Sequence, residues 1–274
     1  MTDFLQALAE YRFMQYALGA CLLASIGCGT IGAYVVIKRI GFVAGGIAHT
    51  VLAGLGIAYF LGAEPLYGAI IAALAAAVLI GWIKLRWRQE EDILIAATWS
   101  VGMAIGILFI ARSPGYAVDL TSYLFGNILL VSGTDLVLMA VLDALIVCVI
   151  VLFHRQFLAT AFDEEFARLR GVNVELFYIF LLCIVALTVV LLIQIVGLIL
   201  VMALLVLPAA AAGQFVTSVA RMMLLAVVLS ALVTLLGLWV SFATDLPSGA
   251  TMVVAAGILY ATALVARRIL RSNS

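Results

Sequence analysis

The chain alternates between long uncharged apolar runs and short polar connections. A helix needs about 20 residues to cross ~30 Å of hydrocarbon. Runs that approach or exceed this length lie near 13–37, 42–62, 65–83, 93–111, 134–153, 174–193, 196–216, 222–243 and 249–266. The pattern predicts an all-α, polytopic transmembrane helical bundle, with residues 1–274 forming a single transmembrane domain. The pattern allows either eight or nine spans, because only two residues separate run 174–193 from run 196–216. The shorter run near 120–132 predicts a re-entrant or interfacial helix.

Composition supports a membrane protein. Of the 274 residues, 67% are hydrophobic and 10% are charged, against ~45–50% and ~25% in ordinary soluble domains. So few polar side chains cannot cover the surface of a soluble fold, whereas a bilayer acts as an apolar solvent. The net charge is zero, so no general attraction to nucleic acid is expected.

The lysines and arginines are distributed unevenly between alternate loops. With the N-terminus outside and nine spans, only Arg12 and Arg112 fall on the outer side. The inner loops and the C-terminal tail hold Lys38, Arg39, Lys84, Arg86, Arg88, Arg155, Arg168, Arg170, Arg221, Arg267, Arg268 and Arg271. Positive charge is retained on the cytoplasmic side. The distribution therefore predicts a multi-pass protein of the cytoplasmic membrane with an outer N-terminus, and it favours nine spans over eight.

The sequence lacks the common catalytic signatures. It contains no GxxxxGK[ST] loop, no HExxH and no GxSxG, the motifs of P-loop ATPases, zinc proteases and serine hydrolases. We predict that the chain is not an enzyme and that any ATP hydrolysis takes place in another subunit.

Two ionisable residues lie well inside the predicted spans. Such groups are costly in hydrocarbon and are functional candidates by default. His49 offers an imidazole nitrogen, which suits zinc, iron, manganese and related ions; the alternative is a hydrogen-bonded packing residue. Asp143 shares a helix face with Asp135 and Met139 and could line an aqueous path. Its alternative is a position nearer the membrane surface.

Small residues accompany His49 on its helix. Gly41, Gly45, His49 and Ala53 recur every four positions and so lie along one stripe. Small residues at this spacing let neighbouring backbones approach closely. The stripe predicts a helix-packing surface, a narrow path, or both.

Five segments resemble the permeases of the zinc/manganese/iron family of ABC importers. They are GAYVVIKRIGFVAGGIAHTVLAGLG (32–56), DLTSYLFGNILLV (119–131), FDEEFARLRGV (162–172), VGLILVMALLVLPAAAA (196–212) and DLPSGA (245–250). The resemblance implies two copies of the chain working with an ATP-binding-cassette ATPase subunit. It also implies an extracytoplasmic metal-binding protein that delivers the ion. No permanently bound cofactor is expected, only a divalent transition metal in transit.

The resemblance also assigns roles to particular residues. The stretch Pro208–Arg221 matches the ATPase-docking segment, with Pro208, Ala211, Ala212 and Arg221 as its candidates. The segment 162–172 is expected to be a second inner-face element, or alternatively a solvated loop, and contains Asp163, Glu164, Glu165, Arg168, Arg170 and Gly171. The distribution of basic residues, rather than the resemblance, places Asp119 and Asp245 in outer connections, where we expect them near the mouth and where a solvated turn is the alternative.

One position departs from the family pattern. Many members carry an aspartate four residues before the histidine, where this chain has Gly45. A second ligand would therefore come from His49 of the other copy or from Asp143. The competing functions are a permease for metal chelates such as siderophore, haem or cobalamin, a secondary transporter or channel, and an intramembrane enzyme.

Overall fold

The chain is all-helical across the residues that the structure describes. The structure is a computed structural model and describes residues 2–87, 90–113, 126 and 128–272. Within these residues there are twelve α-helices and no strand, which confirms the predicted fold class. The helices are α1 Thr2–Glu10, α2 Arg12–Ile37, α3 Gly41–Phe60, α4 Pro65–Trp87, α5 Glu91–Arg112, α6 Gly133–Leu152, α7 His154–Phe162, α8 Glu164–Leu169, α9 Val174–Val196, α10 Leu198–Ala212, α11 Val219–Thr244 and α12 Ser248–Ser272.

Eight of the described helices are long and apolar enough to cross a membrane. They are α2 to α6, α9, α11 and α12. The predicted ninth run forms α10, which has only 15 residues and is about 22 Å long at 1.5 Å per residue. Gly197 separates α9 from α10, and its φ of 80° lies in the left-handed region that glycine tolerates.

The helices group into two compact units. The first unit contains Met1–Ile37, Thr121–Val147 and Leu192–Ser274. The second contains Lys38–Leu120 and Cys148–Leu191. Each unit is described by itself below.

In the first unit, α2 packs against α10 and α11 at glycine positions. A Cβ on Gly29 would lie 2.5 Å from the backbone nitrogen of Val227, and one on Gly32 would lie 2.2 Å from the carbonyl oxygen of Leu205. Distances this short leave no room for a side chain, so larger residues would force the helices apart. The small residues of α2 therefore define how closely this unit packs.

The contacts of α2 also give the helix directions in the first unit. The Ser25 hydroxyl lies 3.3 Å from that of Thr234. Since Gly29 meets the earlier residue Val227, α2 and α11 are antiparallel. Farther along α2, Ala33 packs with residues at the end of α10 and the beginning of α11. The helix α10 thus ends where α2 ends and α11 begins.

The last helix reaches this same end of the first unit. The Arg267 side chain, near the end of α12, donates a hydrogen bond to Gln214, which directly follows α10. The chain therefore enters α2 at one end of the first unit and leaves α12 at the other.

In the second unit, α3 packs between α4 and α5. A Cβ on Gly54 would lie 2.0 Å from the carbonyl oxygen of Gly68 in α4. A Cβ on Gly56 would lie 2.5 Å from the carbonyl oxygen of Gly106 in α5. Helices that approach at glycine on both sides make backbone-to-backbone contact. Such contact fixes α3 in its unit.

Two predictions fall wholly or largely outside the described residues. Asp119 is among residues 114–125 and 127, whose structure is not described. Of the predicted helix near 120–132, the described part includes a single 3₁₀ turn at Ile128–Leu130.

Candidate transport site

His49 lies in the middle of α3 and is covered by an aromatic ring. It is the ninth residue of the 20-residue helix, and 9% of it is exposed in the chain. Its imidazole stacks on the indole of Trp99 in α5, with ring centroids 3.8 Å apart and an interplanar angle of 15°. The stacked indole limits how the imidazole can turn.

Backbone contacts hold Trp99 in place. The Thr50 hydroxyl donates to the carbonyl oxygens of Gly46, at 2.8 Å, and of Thr98, at 3.2 Å. A Cβ on Gly102 would lie 2.8 Å from the Cα of Thr50. These contacts hold α5 close to α3, and Trp99, which follows Thr98, is thereby brought onto His49.

The site offers one strong metal ligand per chain. Across the described ranges, neither ring nitrogen of His49 has a hydrogen-bond partner, and no three His, Cys, Asp or Glu side chains form a group that could hold a metal ion. Gly45, one turn before His49, is buried and has no side chain that could bind a metal ion. A single imidazole can contribute to a transient site but does not form a closed structural one.

Asp143 is buried in the first unit. It is the eleventh of the 20 residues of α6 and is 6% exposed, so it lies in the middle of its helix rather than near an end. Its Oδ2 atom has no hydrogen-bond partner among the described residues. Asp135, on the same face, instead accepts hydrogen bonds at the beginning of α6 from the Ser132 nitrogen, at 2.9 Å, and hydroxyl, at 2.6 Å.

The small-residue stripe is only part of the packing surface of α3. Gly45 and Ala53 are buried and Gly41 is half-buried. The close approaches described above occur instead at Gly54, towards α4, and at Gly56, towards α5. The two glycines contact different helices, and neither belongs to the predicted stripe.

Three of the four predicted docking residues are buried in the structure of the single chain. Pro208, Ala211 and Ala212 are buried in α10, where Ala212 packs in a cluster with Ala33, Ala209, Met222 and Ala226. Their side chains cannot form a surface in this structure. The exposed positions begin after the helix, at Phe215 (48% exposed), Thr217 and Ser218, and continue to Arg221.

The segment 162–172 contains an anchored helix rather than a solvated loop. The Asp163 side chain caps α8 by accepting a hydrogen bond from the Phe166 nitrogen at 2.9 Å. The Lys38 ammonium, whose side chain is 14% exposed, lies 2.8 Å from Glu164 Oε1 and donates to the Thr160 carbonyl oxygen at 2.9 Å. One partly buried cation thus holds the end of α7 and the beginning of α8.

The remaining charges of this segment face outward. Glu165 is exposed, and the guanidinium of Arg168 lies 3.8 Å from Glu175. Arg170 stacks over the ring of Phe166 at 5.1 Å, and Gly171 turns the chain with a φ of 78°. Exposed apolar side chains stand among them, at Phe162 (66%), Phe166 (48%) and Leu169 (86%).

Asp245 lies in the exposed turn between α11 and α12. The helix α11 ends at Asp245, which has a left-handed φ of 55° and whose backbone N–H donates a hydrogen bond to the Ser241 carbonyl oxygen. Because α11 begins where α2 ends, this turn lies at the end of the first unit where α2 begins. Asp245 is therefore opposite Arg221 and Arg267.

Comparison with known proteins identifies the family. Residues 10–267 match the model of the ABC 3 transport family. The chain belongs to this family. It is 44% identical over 259 residues to an uncharacterized membrane protein of Synechocystis, which covers 94% of this chain and 92% of the relative. It is 34% identical over 263 residues to the manganese transport system membrane protein MntC of Halalkalibacterium halodurans, covering 96% and 90% of the two chains.

A solved structure agrees over the whole chain. PsaBC from Streptococcus pneumoniae in complex with Fab is 30% identical, with a TM-score of 0.88, and the match covers 100% of this chain and 99% of that one. The predicted family resemblance is confirmed. As a member of an ABC transport family, the chain is a transporter component of the cell membrane rather than an enzyme. The secondary transporter or channel is not favoured.

Proposed function

We propose that the chain is the permease subunit of an ATP-driven importer of divalent transition-metal ions, and that His49 contacts the ion in transit. The observation that carries the proposal is an imidazole held in the middle of a membrane-spanning helix, with small residues on its own helix face. The only other histidine, His154, begins α7 after the end of α6.

Manganese is the first candidate for the ion. The relatives named for a metal include manganese transport proteins of Halalkalibacterium halodurans and Listeria monocytogenes. Imidazole also suits zinc and iron, which remain alternatives. Transport of a metal chelate is a weaker alternative, because it would not need a metal ligand in the path.

We propose that two copies of the chain form the path. One imidazole from each copy would supply two ligands, which compensates for the carboxylate missing at Gly45. Asp143 remains a second candidate for this role. A path needs ligands that are few and weak enough to release the ion, and one histidine per chain fits that requirement.

We propose that the ends carrying Arg221 and Lys38 face the cytoplasm, with the N-terminus outside. A separate ATP-binding-cassette subunit would dock on residues 213–221 and on the segment 162–172. Exposed apolar and charged side chains at Phe215, Arg221 and Leu169 support docking at these places. The opposite end, with Asp245, would receive the ion from an extracytoplasmic metal-binding protein.

Replacement of His49 tests the metal-contact proposal. Cells that carry His49→Ala or His49→Asn are compared with wild-type and depleted cells for manganese, zinc and iron content, at matched protein levels in the membrane. Asparagine retains hydrogen bonding but ligates metal weakly. We expect both variants to lose uptake of the transported ion. Full uptake with asparagine but not with alanine would make His49 structural.

Two further measurements test subunit roles and orientation. The purified chain in liposomes should show no sustained ATP hydrolysis without a second subunit. In a background without native cysteines, Asp245→Cys should react with a membrane-impermeant reagent added outside intact cells. Labelling only after access to the cytoplasmic side would reverse the orientation.

A further inference from the structure

An open groove lies between two helices of the second unit, where α4 ends and α9 begins. Its volume is about 730 Å³, within the ~300–1,000 Å³ typical of small-molecule sites. The apolar part of its lining is formed by Trp82, Leu85, Leu176, Ile179, Phe180 and Cys183. The polar part is formed by Arg86, Asn173 and Glu175.

The groove runs from a polar mouth into the depth of the membrane. Asn173 precedes the first residue of α9, and Cys183 lies ten residues further along, which is about 15 Å in a helix. That length is half of the ~30 Å hydrocarbon core. The groove therefore extends along α9 by about the thickness of one leaflet.

The walls are fixed by direct contacts between α4 and α9. A Cβ on Gly81 would lie 2.9 Å from Ile179 Cγ1, so the two helices touch there. The Lys84 ammonium donates to the Tyr178 hydroxyl at 3.1 Å and lies 4.4 Å from the centroid of the same ring. The groove is thus preformed and does not depend on a ligand to hold its sides.

Among the described residues, the linings at this end carry more positive than negative charge. A second, smaller cavity of about 330 Å³ shares Asn173 and Glu175 with the groove and adds Arg168. The two linings together hold two guanidinium groups, of Arg86 and Arg168, and one carboxylate, of Glu175, which lies 3.8 Å from Arg168. The Asn173 side chain caps α9 by accepting from the Leu176 nitrogen at 3.0 Å, and the helix dipole adds partial positive charge.

These features select one kind of occupant. An apolar groove on membrane-spanning helices is surrounded by hydrocarbon chains, and arginines at its mouth match phosphate geometry well. The ring centroids of Trp82 and Trp87 are 5.6 Å apart, so an aromatic pair lies near the end of α4. Such aromatic residues are common at the membrane interface. We infer that the groove binds one anionic phospholipid of the leaflet at the arginine-bearing end, with an acyl chain against Trp82 and Ile179 and its phosphate between Arg86 and Arg168.

The proposal predicts headgroup selectivity, measured in the purified, full-length protein. Native mass spectrometry of protein from nanodiscs with equal phosphatidylglycerol and phosphatidylcholine should show preferential retention of phosphatidylglycerol. With ~1 kcal/mol per basic residue near an anionic headgroup, each arginine is worth about fivefold, so Arg86→Gln with Arg168→Gln should lower the preference by more than tenfold. Arg268→Gln removes an exposed guanidinium outside the groove and should leave the preference unchanged.

A second measurement uses the wild-type protein and is independent of variant folding. A photoreactive phosphatidylglycerol should crosslink to peptides that contain Trp82 or Phe180, and excess phosphatidylglycerol should compete better than phosphatidylcholine. Equal retention of the two lipids by the wild type, or an equal effect of the control variant, would overturn the proposal. So would crosslinks spread evenly over the lipid-facing helices.

Discussion

The stack of His49 on Trp99 gives a graded test of the transport site. Replacement of Trp99 by alanine removes an aromatic contact with centroids 3.8 Å apart. Aromatic pairs contribute ~0.5–1.5 kcal/mol beyond their buried area, which corresponds to about a 2- to 12-fold change in the equilibrium constant between held and released imidazole. We therefore expect Trp99→Ala to reduce metal uptake at subsaturating concentration by about 2- to 12-fold.

The assay compares initial uptake rates in proteoliposomes that contain the permease and its ATPase. Trp99→Phe retains a ring face and should lose less than alanine does. Val101→Ala, at a 57% exposed position of the same helix, controls for changes in α5 that do not involve the stack. Uptake by Trp99→Ala equal to that of the Val101→Ala control would refute the reasoning.

A double-mutant cycle tests whether the effect passes through His49. Free energies of unfolding are measured for the wild type, His49→Ala, Trp99→Ala and the double variant. For residues in contact, the change in free energy of unfolding in the double variant differs from the sum of the two single changes, and the difference is the coupling energy. For independent sites, the single changes add within ~0.3–0.5 kcal/mol. A coupling of ~0.5–1.5 kcal/mol is expected. Simple additivity would show that the stack does not hold the imidazole.

Three further predictions concern packing and coupling. Gly54→Val should strongly lower thermal stability, because even a Cβ would lie 2.0 Å from a backbone oxygen; an unchanged melting temperature would contradict the packing of α3. Ala211→Asp should reduce the amount of folded protein in the membrane, since Ala211 is 0% exposed. Thr217→Asp should fold normally and weaken the stimulation of the ATPase. The reverse pattern would support docking at Ala211. Lys38→Gln and Glu164→Gln should each uncouple ATP hydrolysis from uptake, with little further loss in the double variant; additive losses would argue against a shared contact.

Most of the fold could be predicted from the sequence because the bilayer imposes a simple rule. Span length depends on the local run of apolar residues, so nine apolar runs were visible in the pattern, and eight of them form long helices in the described residues. The run 196–216 was predicted to be as long as the others, but α10 has only 15 residues. The left-handed Gly197 separates α10 from α9, and hydrophobicity alone does not specify such a turn.

The burial at the beginning of the predicted docking segment has a physical reason. The resemblance placed the beginning of that segment at Pro208, and the side chains there are buried in the structure of the single chain. The alanines that follow are the strongest helix formers, and Ala212 packs against Ala33 and Ala226. Tertiary packing therefore continues α10 past the proline, and the exposed side chains begin only at Phe215.

The stack on His49 could not be predicted because it depends on two close approaches distant in sequence. Trp99 is fifty residues from His49, and it reaches the imidazole only because glycines at 46 and 102 bring α5 onto α3. The same helix has a second connection, since Lys38, three residues before α3, contacts Glu164. A force on the segment 162–172 would therefore act on the beginning of the helix that carries His49. The second unit thus contains both the candidate ligand and a physical link from that ligand to the surface where an ATPase would dock.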